Sequence, residues 1–270
     1  VSHWRPAQVS FSFGRFGVRG VAKDGWCRAE WFTEEVWLAC ADEFGTGQGL
    51  QSLVREGCSL VSLRKVSLFE VACARRVAHL LPSELCRRTI DLAEAAADAP
   101  RELAGVTLPI YSEIAEELNR YGPPPECLPK PPLDPLTEVG LELAANLADP
   151  MRLELGQRLR EMIGGMAEAV AATAAGRPYS SAEVASEFPL LHDIFGNPFR
   201  PVVFAPAWRT DAVVALARGM YEARGFTPMP VLADALDDAG CAHPDILDHC
   251  RGPGPHVRGC WVVDLVLGKA

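Results

Sequence analysis

The stretch Leu63-Arg-Lys-Val-Ser-Leu-Phe-Glu-Val-Ala-Cys-Ala-Arg-Arg-Val-Ala-His-Leu80 decides the fold class. Leu63, Val66, Phe69, Cys73, Val77 and Leu80 recur at steps of three and four, so they share one face of a helix. Pro82 stops that helix, because proline has no N–H to donate and its φ is fixed. Ser83 can cap a second helix, which runs through Ile90 and Ala93 to about Ala97 and stops before Pro100.

The same pattern extends in both directions. Toward the amino end, Thr33 caps a helix with Glu34 and Glu35 in its positive first turn and Trp37-Leu38 as its apolar anchor. Toward the carboxyl end, Ile110, Ile114, Leu118 and Tyr121 make another amphipathic series closed by Gly122. Leu136 to Asp149 is helical by pattern, and Asp149-Pro150 opens a helix from Met151 to about Ala175. The stripe Leu155, Leu159, Met162, Met166, Val170 on that helix reads as core. Thr210 caps a helix from Asp211 to Arg224, closed by Gly225. Helices over Pro230–Ala239, Pro244–Cys250 and Gly259–Leu267 complete the set. The expected fold is all-α, a bundle-like array of many helices with long loops. One short extended segment is expected near 199–204, where Val202-Val-Phe204 has no partner strand in the sequence.

Seven prolines between Gly122 and Pro135 admit neither a helix nor a central strand. Residues 122–135 therefore read as a semi-rigid linker between a helical subdomain over 31–121 and a second over 136–270. Residues 1–30 read as a poorly ordered basic leader, its first 28 residues carrying Arg5, Arg15, Arg19, Lys23 and Arg28 against Asp24. That leader lacks the apolar run of an export signal. No window approaches the roughly 20 apolar residues of a membrane span. The net charge of -9 argues against nucleic-acid binding, which needs clustered lysine and arginine. Nine cysteines without an export signal fit a reducing cytoplasm with few disulfides.

Of the nine cysteines and six histidines, three of each fall between Cys241 and Cys260. Sulfur and imidazole nitrogen are what zinc binds. His256 and Cys260 have an H-x3-C spacing that can chelate from a loop into a helix start. A site of Cys250, His256 and Cys260 with Cys241 or His249 is geometrically conceivable. On a helix, however, His249 and Cys250 point about 100° apart, and no C-x2-C pair is present to nucleate a structural site. The expectation is therefore that the cysteines are small buried hydrophobes and that His249 and His256 donate to backbone carbonyls. No cofactor is predicted; zinc is the alternative.

Other chemistry is thinner. No G-x-S-x-G elbow and no H-E-x-x-H motif occur. Gly45-Thr-Gly-Gln-Gly49 lacks the full dinucleotide fingerprint and follows no strand. The acidic pairs Glu34-Glu35 and Asp237-Asp238 read as solvated helix faces. Arg75-Arg76 and Arg87-Arg88 read as a balance to the carboxylate-rich helices.

Thr33-Glu-Glu-Val-Trp-Leu-Ala-Cys-Ala-Asp42 and Leu68-Phe-Glu-Val-Ala-Cys-Ala-Arg-Arg-Val-Ala-His-Leu-Leu81 resemble the amino end of a large bacterial family of paralogues. Leu190-Leu-His-Asp-Ile-Phe-Gly-Asn-Pro-Phe-Arg-Pro201, Leu232-Ala-Asp-Ala-Leu-Asp-Asp-Ala-Gly-Cys241 and the run His249 to Lys269 resemble its carboxyl end. The resemblance covers a little under half the chain and brings no activity and no catalytic residues with it. The leading expectation is a non-enzymatic helical module that docks another protein through the arm Phe195, Asn197, Phe199 and Arg200, or that uses this arm to staple its own halves together. The alternative is a zinc protein or a hydrolase built on the carboxyl-terminal cysteines and histidines.

Overall fold

A computed structural model of the chain describes residues 33–39, 62–99, 109–117, 134–148, 165–176 and 188–269. Helix is the regular structure of all of them. The expected leader at 1–30, the Gly45–Gly49 loop, most of the 122–135 linker and the first half of the methionine-striped helix lie outside the described residues.

Helix α1 (Glu34–Ala39) starts as its sequence asks, with the Thr33 hydroxyl accepting from Val36 N. Helix α2 (Leu63–Val77) is capped by Ser62, whose side chain accepts from Lys65 N. A 3₁₀ turn over Ala78–Leu80 ends it before Pro82. Val66, Phe69, Cys73 and Val77 of the expected face are buried, but so are Leu68, Val71 and Ala72 beside it, while Leu63 is 37% exposed. Burial spreads around α2 because it is a central helix. It contacts α3 (Glu84–Asp98), α5 (Pro135–Ala148), α6 (Gly165–Ala174) and α7 (Phe188–Phe195). Residues 109–117 form α4, with Ile110 and Ile114 buried. Asp134 caps α5 by accepting from Thr137 N.

The carboxyl-terminal part continues with α8 (Asp211–Ala223), α9 (Met229–Asp238), α10 (Pro244–Arg251) and α11 (Trp261–Leu267). Thr210 caps α8 as its sequence indicates. The residue that closes α8 is Arg224, not Gly225: Arg224 adopts a left-handed conformation at φ 52°. Its guanidinium pairs with Glu94. Val202–Phe204 is not a strand. Phe204 instead packs edge-on against Trp208, with the Arg209 guanidinium over its ring.

Apolar side chains form two buried clusters. One runs from Trp37 to Phe195, the other from Phe204 to Val266. The first unites residues on both sides of 122–135. Two hydrophobic bodies meet along a seam, and polar groups cross it. Arg64 of α2 reaches Asp264 of α11, and Arg224 and Arg258 reach Glu94 of α3. No helix among the described residues is long and apolar enough to cross a membrane.

Candidate metal centre

Helix α7 carries Asp193 into this seam. Trp37 of α1 donates from its indole N–H to Gly196 O at 3.1 Å, and His192 Nε2 donates to Trp37 O at 3.0 Å. From the other side the Lys65 ammonium donates to Ile194 O at 2.8 Å. Burial among apolar neighbours lowers the Lys65 pKa, against the pull of the Asp264 carboxylate. These bonds fix both the tilt and the end of α7. Gly196 adopts φ +66°, and a Cβ there would meet the Trp261 ring at 3.0 Å, so α7 and α11 approach as closely as glycine allows.

Four side chains converge beneath that contact. Asp193 Oδ1 lies 2.8 Å from His256 Nδ1 and 3.2 Å from His249 Nε2. His249 Nε2 also lies 3.2 Å from Cys260 Sγ. One ligand atom from each of the four residues falls within 4.8 Å of all the others. The side chains of Asp193 and His256 are 2% and 9% exposed, and Cys260 is fully buried. Val257 N donates to the second oxygen of Asp193 at 2.9 Å, which holds the carboxylate plane. The His249 ring stands edge-on to His256 and tilts over Trp261.

The electrostatics follow from burial. Desolvation pushes the Asp193 carboxyl up, but hydrogen bonds and charge from His249 and His256 outweigh it, so its pKa is lowered. Desolvation drives the Cys260 thiol well above its ordinary value, and the Asp193 charge adds to this, while the Val263 and Val262 N–H groups act against it. Cys250 is pushed up to about 12 by burial, helped by the charges of Cys241 and Asp193. None of these thiols has the depressed pKa of a nucleophile.

This arrangement is not a catalytic triad. A triad passes through the ring, with the acid on one nitrogen and the nucleophile on the other. Here Asp193 and Cys260 both meet the same nitrogen of His249.

The structure thus brings together His249, His256 and Cys260 from the sequence-derived set and adds Asp193. His249 and His256 do not donate to backbone carbonyls as expected; their rings turn to the buried carboxylate, which is the stronger acceptor. Cys241 and Cys250 stay outside the group and pack with α9 and α10, since Cys250 points away from its neighbour His249. All five described cysteines are buried free thiols.

The arm residues are engaged within the chain. Phe195 is buried near Phe69, and Phe199 packs partly against the first cluster. Asn197 donates to Glu34 at 2.7 Å, and Arg200 pairs with the same carboxylate. Glu34 is therefore a clasp between α1 and the arm, not a solvated residue. Arg75 and Arg87 pair with Glu94 and Glu84, and Arg88 approaches Glu113, in line with an internal charge balance.

Asp193 is the member of this group that the sequence does not single out. Its signal was a lone acid inside Leu190-Leu-His-Asp-Ile-Phe195, where every other residue except His192 is apolar. No protein-family model, no curated protein and no solved structure matches the chain.

Proposed function

We propose that this chain is a zinc-binding protein, with Asp193, His249, His256 and Cys260 holding one ion that clamps α7 to the carboxyl-terminal helices. The sharing of His249 Nε2 carries this reading. A ring nitrogen has one hydrogen or one lone pair, so it cannot satisfy a carboxylate oxygen and a sulfur, each 3.2 Å away, with two good hydrogen bonds. A cation in the middle satisfies all four groups. Tetrahedral zinc, with bonds of roughly 2.0–2.3 Å, sets neighbouring ligand atoms about 3.3–3.7 Å apart. The shorter contacts of this group widen to that spacing with sub-ångström shifts.

Charge supports the same reading. Zn²⁺ with a thiolate, a carboxylate and two neutral imidazoles has no net charge, which suits a site this buried. Four protein ligands close the coordination sphere, as in structural sites, and leave no open position for a substrate. All four ligands fall within the carboxyl stretches that resemble the bacterial paralogues, and we assign the chain to that family on those stretches. The arm at 195–200 is not part of the proposal, because its polar groups already have partners within the chain.

Elemental analysis of the purified chain tests this. One equivalent of zinc is expected, falling to background in Cys260→Ser and Asp193→Asn. Replacement by cobalt should give the visible absorption of a tetrahedral site and a sulfur-to-cobalt band that Cys260→Ser abolishes. A metal-free protein that unfolds cooperatively and ignores added zinc would end the reading.

A further inference from the structure

A cavity of about 390 Å³ opens along the seam, lined by α2, α3, α7 and the loops on either side of α9 and α10. That volume lies within the range of small-molecule sites, roughly 300–1,000 Å³. Its floor is apolar, built on Leu68, Val71 and Ala72 with Leu190 and Phe226. Its rim is not. Arg75, Arg224 and Arg258 line it with the carboxylate of Glu94, in a chain whose net charge is -9.

Glu94 is saturated. It accepts two hydrogen bonds from Arg75 at 3.1 and 2.9 Å, one from Arg258 at 3.2 Å and one from Arg224. A carboxylate offers about four lone-pair sites, whereas each guanidinium carries five N–H groups. The remaining donors face few acceptors. Arg75 also reaches Asp91 at 2.8 Å, Arg258 reaches Asp98 at 3.3 Å, and Arg224 approaches Asp91 only at 3.8 Å. Arg224 and Arg75 remain 43% and 33% exposed, so their free N–H groups are accessible. Two of the buried side-chain atoms without a hydrogen-bond partner, His256 Nε2 and Arg258 Nε, belong to residues of this same wall.

We propose that this cavity is a binding site for a small organic anion, its apolar body on the Leu68–Ala72–Leu190–Phe226 floor and its carboxylate or phosphate head on Arg75, Arg224 and Arg258. Guanidinium groups suit either head, because their forked N–H pairs match two oxygens of one anion. The apolar floor excludes a bare inorganic ion as the intended occupant. The site does not rest on the zinc reading: among its wall residues only His256 is also a proposed ligand, and the arginines and floor stand without the ion.

Isothermal titration of the folded full-length chain tests it, with metal content measured on the same sample. The probes are 2-naphthoate, 2-naphthyl phosphate and inorganic phosphate. One-site binding of at least one naphthyl anion is expected, and the tighter of the two identifies the head group. Arg224→Gln and Phe226→Ala should each weaken it by about tenfold, the scale of one charge-assisted hydrogen bond or one apolar contact, with unchanged circular dichroism. Inorganic phosphate binding as tightly as the naphthyl probes would overturn the proposal. So would wild-type affinity in Arg224→Gln, or no saturable heat from any probe. Binding that persists in a folded sample that holds no zinc and ignores added zinc would leave this site standing while removing the metal reading.

Discussion

Arg64 and Asp264, 200 residues apart, form a two-pronged ion pair across the seam, with Nη1 2.6 Å from one carboxylate oxygen and Nη2 3.0 Å from the other. Arg64 also donates to the Tyr221 hydroxyl at 2.8 Å and to Asp98 at 2.9 Å. The Arg64 side chain is 13% exposed and that of Asp264 only 2%. Removing one partner strands a buried charge, which costs on the order of 3–5 kcal/mol. Arg64→Met should therefore lower the urea unfolding free energy by about 3 kcal/mol. Adding Asp264→Leu to it should recover part of that loss, since an apolar pair no longer needs the cation. A single variant as stable as the wild type would show that this pair does not hold the seam.

Acid should loosen the same seam. Glu94 and Asp98 both titrate below their ordinary values of 4.5 and 3.8. Burial alone would raise them. Arg75 and Arg224 outweigh it at Glu94; Tyr221, Arg64 and Lys269 outweigh it at Asp98. With folded values lowered, the unfolded chain takes up protons first as pH falls. The stability these groups give is fully present above the ordinary values and is lost as pH drops through the lowered ones. Urea midpoints should be flat near neutrality and decline below pH 4.5. Glu94→Gln should be less stable near neutrality and decline less steeply. Equal slopes in the two proteins would exclude Glu94 as a source of the acid sensitivity.

The helices were legible because their signals are local. Ser83 and Pro82, or Thr210 and the run after it, mark boundaries through residues a few positions apart. Even so, Arg224 takes the left-handed closing position where the sequence points to Gly225, and its side chain pairs with Glu94, 130 positions away. The site was half legible for the same reason. His256 and Cys260 show their chelating spacing in the sequence, and the helical turn separates His249 from Cys250. Asp193 lies 63 positions from His256. No periodicity links the two; only the packing of α7 against α11 does. Donors near that spacing in the sequence include Cys241, His249 and Cys250, and with no C-x2-C pair among them the sequence alone does not mark a site.

Gly259 presses the loop before Cys260 against α2. Its φ is +97°, and a Cβ there would come within 2.9 Å of Leu68 Cδ1. Gly240, at φ +85°, has nothing within 4 Å. Alanine at Gly240 meets only backbone strain, on the order of 1 kcal/mol. Alanine at Gly259 meets strain and overpacking together, about 3 kcal/mol. Because Cys260 follows directly, Gly259→Ala should also give up zinc to a competing chelator faster than wild type, and Gly240→Ala should not. Equal zinc release from the two variants would uncouple this contact from the site.

Cys250 and Cys260 are both fully buried, yet their serine variants should behave differently. Cys250 packs with Cys241 and the α9–α10 cluster. Serine there puts a hydroxyl into an apolar site, at a cost of roughly 1–3 kcal/mol, with the zinc content unchanged. Cys260→Ser should lose the ion as well, leaving the Asp193 carboxylate with only the two imidazoles as cation partners. Chelation of the wild-type protein should then lower its unfolding temperature toward that of Cys260→Ser, while chelation of Cys260→Ser should change nothing. In the native protein a thiol reagent should find Cys260 inert, because it is fully buried and, on the zinc reading, held by the ion. Chelator should hasten labelling of Cys260 more than of Cys250, since removing the ion frees the loop from Val257 to Cys260 before it disturbs the helix that carries Cys250. Equal acceleration at both cysteines would mean that the whole carboxyl-terminal body opens as a unit and that the ion does not clamp this loop locally.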